Sequence, residues 1–318
     1  MRTYAVVIVL LMLLLGTGAA YADGCYFMRE TDWRKLREKA FITEPEQKAL
    51  ILFNNGQEDL IISPSYQGAA ADFAWVIPVP ARPKVATLEG ALFHEMAALQ
   101  PLGRYKKAAA PASKSVGKSD DVKVIERKTV GDYDVSVLEA NNGHALLEWL
   151  TLHQYHLHAA AEKPLSTYVH EKWTFVACRI KAPATAAAGL QQGILAPLRL
   201  TFRTRKPVYP MRLSAANHDP FIVQLYLVLP TRLGASFDVV YAPAQPRRWN
   251  IGARAIADLA TPREHCPTLA KLYAGAVRVY SQSMRIAPNE CTADYVWQLD
   301  KQQVGALSGR STIMGTGK

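Results

Sequence analysis

Three clusters of side chains in this sequence have the types and spacing to do chemistry. The first is His153-Gln154-Tyr155-His156-Leu157-His158, three imidazoles in six residues. Neutral imidazole nitrogen suits borderline metals such as zinc or copper, and local spacing brings His153, His156 and His158 together at little entropic cost. The competing reading is a polar helix end, where the dipole favours such residues anyway. The second is Asp132 and Asp134, which alternate onto one face of a strand. A carboxylate pair there could hold calcium or share a proton, and the competing reading is a solvated sheet face.

The third cluster is the most specific. Along Leu198–Arg205, Leu198, Leu200 and Phe202 point one way while Arg199, Thr201, Arg203 and Arg205 point the other. Arginine forks at that spacing match phosphate or carboxylate oxygens bidentately, and Arg212 is placed to join from the next strand. The competing reading pairs these arginines with acids on neighbouring strands.

Local catalytic signatures are missing. His94-Glu95 and His170-Glu171 lack the second histidine of a zinc-protease helix, since Ala98 and Thr174 occupy its position. The sequence contains no Gly-x-Ser-x-Gly elbow, complete phosphate-binding Gly-x-x-x-x-Gly-Lys-Ser/Thr loop, Cys-x-x-Cys pair or haem attachment motif. Catalytic residues and cofactor sites are therefore not assigned, and no cofactor is expected. A site assembled from distant residues stays open.

The elements that must position these residues are mostly strands. Ala49–Phe53, Asn54-Asn55-Gly56 and Leu60–Ser63 read as a hairpin. Asp72 to Pro80 is apolar on both faces, with Phe73, Trp75, Ile77 and Val79 on one and Ala74 and Val76 on the other, so it reads as a buried strand. Leu88–Leu99 has helical spacing. Strands are expected at Val122–Glu126 and Tyr133–Leu138, then a helix from Asn142 through His153 with Asn capping potential. Further strands are expected at Leu198–Phe202, Val208–Leu213, Phe221–Leu229 and Phe237–Tyr241, with a helix at Ala253–Leu259. The trio of strands in each half suggests an internal duplication. Sequential strands with tight turns predict an α+β fold of antiparallel meanders with packed helices, its two halves related if the duplication is real.

The N-terminus reads as a secretory leader. Arg2 precedes the apolar stretch Ala5–Leu15, and Ala20-Tyr21-Ala22 offers a cleavage site before Asp23. The apolar core is too short for a membrane span, and no run in the body of the chain reaches that length. The expected location is periplasmic or secreted. The expected organisation is residues 1–22 as leader, 23–102 as an N-terminal strand and helix region, 103–120 as a basic loop, 121–245 as a central α+β region and 246–318 as a C-terminal helical and loop region.

Of 318 residues 49% are hydrophobic and 20% charged, which excludes wholesale disorder. Loss of the leader removes only Arg2, leaving 36 basic against 27 acidic residues. A net charge of +9 favours anionic partners. An extracytoplasmic destination disfavours nucleic acid.

The segments Tyr66-Gln67-Gly68, Asp72 to Pro80, Thr129-Val130-Gly131-Asp132-Tyr133-Asp134-Val135 and Pro207 to Ser214, with the Gly24-Cys25 start, resemble the bacterial exported family known as domain of unknown function 2330. The resemblance runs from Cys25 to at least Leu229. It implies an exported bacterial envelope protein and carries no established activity or catalytic residues. It also implies an apolar strand residue where this chain has Cys178, which speaks against a disulfide at that position.

Two functions follow as expectations. One is a non-catalytic envelope module binding an anionic envelope component or a protein partner. The other is an envelope hydrolase or other enzyme. Four cysteines entering an oxidising compartment predict at least one disulfide. Cys266 with Cys291 is the preferred pairing because both lie in polar surroundings of one segment, and Cys25 with Cys178 is the other.

Overall fold

The Asn55–Gly56 turn sets the register of the first hairpin. In the computed structural model both residues are left-handed, at φ 51° and 71°, the pair of angles a two-residue hairpin turn needs. A side chain at Gly56 would meet only the Thr204 carbonyl oxygen, at 3.6 Å, so the glycine serves the angle rather than the space. The turn joins β2 (Glu46–Asn54) to β3 (Gln57–Gly68), pairing Asn54 with Gln57 and Ala49 with Ile62. The structure describes residues 25–31, 46–68, 72–88, 91–100, 123–131, 133–155, 159–181, 191–194, 196–217, 219–233, 237–240 and 256–299.

Two larger sheets and one small one follow. A five-stranded sheet has the order β1 (Cys25–Met28), β4 (Asp72–Val79), β8 (Thr174–Lys181), β7 (Tyr133–Glu139) and β6 (Lys123–Val130). The large sheet runs β14 (Ala257–Leu259), β15 (Val277–Ile286), β12 (Phe221–Pro230), β2, β3, β10 (Leu198–Arg203) and β5 (Lys84–Thr87), with β9 (Gln191–Ile194) also on β3. The small sheet is β11 (Val208–Tyr209), β16 (Tyr295–Leu299) and β13 (Phe237–Val240). β12 and β2 pair in parallel, and the other pairings are antiparallel. The fold is α+β with antiparallel sheets predominating, as the sequence predicts.

The main core lies between sheets. Ile51, Leu60, Phe202 and Leu225 of the large sheet pack with Trp75, Val135 and Cys178 of the five-stranded sheet and Trp297 of the small one. Each larger sheet then buries its outer face under helices. Helix α1 (Leu92–Ala98), α4 (Pro262–His265) and α5 (Pro267–Leu272) lie on the large sheet's side, with Leu92, Met96 and Leu269 against Leu50, Tyr226 and Val228. Helix α2 (Gly143–Leu152) and α3 (Glu162–His170) cover the five-stranded sheet, with Leu146, Leu150 and Leu165 against Val76, Phe175 and Ala177. β4 therefore has apolar neighbours on both faces, which is why both faces of its sequence are apolar.

Several expectations are corrected. The Ala253–Leu259 helix is a strand over Ala257–Leu259, paired with β15; residues 253–255 lie outside the described residues. The strand expected over Val208–Leu213 stops at Tyr209 and gives way to a 3₁₀ turn, Arg212–Ala216, because Pro210 supplies no N–H to a ladder. Helix α1 begins at Leu92, whereas Leu88 still extends the β5–β10 pairing, its N–H donating to the Pro197 carbonyl at 2.8 Å. The two strand trios do not repeat. β2 and β3 are neighbours, whereas β10 and β12 flank that pair from opposite sides and β11 is in another sheet. The leader and the basic loop at 103–120 lie outside the described residues.

The disulfides are corrected as well: all four cysteines are separate, buried thiols. Cys25 pairs opposite Val76 on one side of β4, and Cys178 pairs opposite Trp75 on its other side. They are two strands apart, and their side chains enter different cores on opposite faces. Cys266 packs outside the large sheet and Cys291 in the core between sheets, so a layer of backbone separates them. A bridge needs Cα atoms within about 7 Å.

Candidate functional site

Helices α2 and α3 cover only part of the five-stranded sheet's outer face. On β7, Tyr133, Val135 and Val137 enter the main core, so Asp134, Ser136 and Leu138 alternate outward. On β8, Val176, Cys178 and Ile180 enter the core, which turns Phe175, Ala177 and Arg179 outward. Leu138, Phe175 and Ala177 reach the helices. Asp134, Ser136 and Arg179 instead line a cleft of about 540 Å³.

Local chemistry fixes the roof of this cleft. The Asn142 side chain caps α2, accepting the Ala145 N–H at 2.7 Å. Gly143 lets α2 approach α3 closely, for a Cβ there would lie 2.8 Å from Ser166 Cα. At the other end Gln154 takes φ 62°, and the chain folds back so that the Tyr155 N–H reaches Leu150 O at 2.9 Å. The Glu30 N–H bonds Gln154 O at 2.8 Å and ties this end of the helix to the chain beyond β1. Arg29 completes the tie. Its Nη1 donates to His153 O at 2.6 Å, where a cation suits the helix C-terminus, and its guanidinium lies 4.7 Å over the Tyr155 ring centre.

The lining is basic. Arg29, Arg127 and Arg179 face the cleft against one carboxylate, Asp134, while Lys128 borders it from the opposite strand face, across from Val135. Asp134 accepts from Thr129 Oγ1 at 3.0 Å, and Lys128 pairs with Glu126 at 2.8 Å. Trp149 adds a buried indole N–H that has no hydrogen-bond partner among the described residues. His153 stacks on Trp149, ring centres 3.8 Å apart, and its Nδ1 meets Trp149 O at 2.7 Å. That carbonyl assigns the proton of the neutral ring to Nδ1. The arrangement is rich in donors and can hold an anion.

The residues singled out from the sequence fall in different places. His153 and Asp134 meet in this cleft, while His156, His158 and Asp132 lie outside the described residues. Among the described residues no group of three or more metal-ligating side chains converges. Arg199 gives its fork to Asp59, at 2.9 and 3.0 Å, and Thr201 donates to the same carboxylate. Arg203 bonds the Asn55 carbonyl at 3.2 Å, and Arg205 is exposed in the following bend.

Arg212 belongs to another cluster. Its guanidinium lies 4.2 Å over the Tyr168 ring centre and binds both Asp294, at 2.6 Å, and Glu171, at 2.5 Å. Burial, and then Asp294, push the Tyr168 phenol well above its usual pKa. Both carboxylates and one aromatic face are thereby occupied by a protein cation, and the cluster joins α3 to the C-terminal segment.

A family model described as an uncharacterized protein conserved in bacteria, DUF2330, matches residues 20–308. The chain belongs to the DUF2330 family. No curated protein matches it. Among solved structures, the crystal structure of baculovirus P35 matches over 82% of this chain and 98% of its own, at 9% identity with a TM-score of 0.36. At that score neither fold nor activity carries across. The cleft of this DUF2330 chain therefore stands on its own geometry. Arg29, Arg127 and Arg179 lie far apart in sequence, and the only signal that could have gathered them was strand alternation placing them on one face. No helix among the described residues is long and apolar enough to cross a membrane.

Proposed function

We propose that this bacterial protein is an exported envelope component that binds anionic envelope material, without catalysis, in the cleft beneath the C-terminal end of α2. The observation that carries the reading is the lining: three arginines and one carboxylate in a concavity of small-molecule size. The leader-like stretch from Arg2 to Ala22 and the net charge of +9 after its removal support export and an anionic partner. Co-sedimentation of the protein with isolated envelopes across a salt series tests it. Retention that falls steeply as salt rises is expected, because exposed charge is screened. Salt-independent retention, or none, counts against it.

A second reading keeps an enzyme in view, since Ser136, His153 and Asp134 line the same cleft. Hydrolysis of model esters that is lost in both Ser136→Ala and His153→Gln would favour it over simple binding.

A further inference from the structure

Strand register shows how the floor of the cleft is laid out. Thr129, Asp134 and Arg179 form one crosswise row, and Arg127, Ser136 and Ala177 the next. Cross-strand partners share a face, as do residues two apart along a strand, so both rows rise on the same side. Arg127 stands directly across from Ser136 on β6 and Arg179 diagonally from it on β8, the two arginine Cα atoms about 12 Å apart by sheet spacings. Both arginines line the same cleft as Ser136. Above them, α2 contributes the buried Trp149 N–H.

These donors are not coplanar. Two forks and a hydroxyl approach from the floor, and the indole approaches from the roof. A carboxylate has two oxygens in one plane and satisfies one fork well. A phosphate presents oxygens tetrahedrally and can answer floor and roof together. We propose that the inner end of the cleft is a phosphate site centred over Ser136, and that its ligand is a phosphate ester. This rests on the anion-binding reading and names its chemistry. The cleft's 540 Å³ lies in the range that takes a small molecule, so phosphate is the head of a larger ligand. A soluble phosphate monoester and a lipid headgroup share that chemistry.

The test is a calorimetric titration of the whole protein with inorganic phosphate and with malonate, at matched charge and ionic strength. Phosphate is expected to bind at least 10-fold more tightly. Trp149→Phe keeps an aromatic side chain, smaller than the indole, and removes the N–H. It is expected to weaken phosphate about 2- to 12-fold, the value of one neutral hydrogen bond, and to leave malonate unchanged. Ser136→Ala gives the same readout without altering the packing of α2. Vesicles of phosphatidylcholine with phosphatidic acid then separate the sources: competition with phosphate identifies a lipid head, and competition only by glucose 6-phosphate identifies a soluble ester. Equal affinity for malonate, or equal losses for both anions in the two variants, overturns the phosphate site while leaving anion binding in place. Binding of neither anion overturns both.

Discussion

The Arg29 guanidinium lies 4.7 Å over the Tyr155 ring centre while its Nη1 donates to the His153 carbonyl at 2.6 Å. One arginine thus aims at the cleft and holds the end of α2 on the five-stranded sheet. Tyr155→Leu preserves apolar bulk and removes the ring. It is expected to cost about 1–2 kcal/mol, the scale of a partly desolvated cation–π contact, and to weaken anion binding several-fold. Unchanged affinity at lower stability would show that Tyr155 does not position Arg29 for binding.

Arg212 is sandwiched among Tyr168, Asp294 and Glu171, and the Asp294 side chain is 6% exposed. Arg212→Ala strands that carboxylate. A loss of about 3–5 kcal/mol in urea unfolding is expected, as for other buried pairs broken on one side. Arg212→Ala with Asp294→Ala should recover part of it, because the stranded charge is gone. A double variant as unstable as the sum of the singles would mean that the two residues do not act as a pair.

Glu58 is fully buried in the core between sheets. Its Oε2 accepts the Val208 N–H at 2.9 Å, and its Oε1 has no hydrogen-bond partner among the described residues. Burial raises its pKa well above the usual value, and the Val208 bond only partly opposes this. The folded state therefore holds a proton that the unfolded state releases above about pH 4.3. Its contribution to stability falls as pH rises from there through the folded pKa. Glu58→Gln keeps an acceptor for Val208 and removes the titration. Its stability relative to the parent should increase from pH 5 to pH 8 in urea unfolding, and a constant difference would contradict the neutral, buried acid.

The thiols give a direct check on the separate cysteines. Burial pushes Cys178 far above its usual pKa, and burial with the nearby Glu95 pushes Cys266 up to about 11. Thiolate is the reactive form. Native protein at pH 8 should be nearly inert to a thiol reagent, and protein unfolded without reductant should titrate four thiols. Two missing thiols would restore a disulfide.

Much of the scaffold was legible because its signals are local. Asn55-Gly56 announces its own turn, and the doubly apolar run from Phe73 to Val79 describes a strand with cores on both sides. Trp75→Ala is accordingly expected to cost about 3–5 kcal/mol, since Trp75 is fully buried. The errors share a cause. Ala257–Leu259 is too short for periodicity to separate strand from helix, and pairing with β15 decided it. The arginines of β10 looked like a site because alternation shows a face but not what stands opposite. Asp59 stands opposite Thr201 and takes the Arg199 fork diagonally. The cleft depends on which strands become neighbours, so only His153 and Asp134 of its lining stood out in sequence.

The most direct test sets the two basic surfaces against each other. Arg29→Gln/Arg127→Gln/Arg179→Gln removes three charges from the cleft, and Arg199→Gln/Arg203→Gln/Arg205→Gln removes three from β10 and its following bend. Both triple variants and the parent are titrated with one soluble polyanion at fixed ionic strength, after circular dichroism shows each is folded. The cleft variant should lose at least 10-fold in affinity while the β10 variant changes less than 3-fold. Equal losses in the two would assign binding to overall charge, and a loss confined to the β10 variant would move the site away from the cleft.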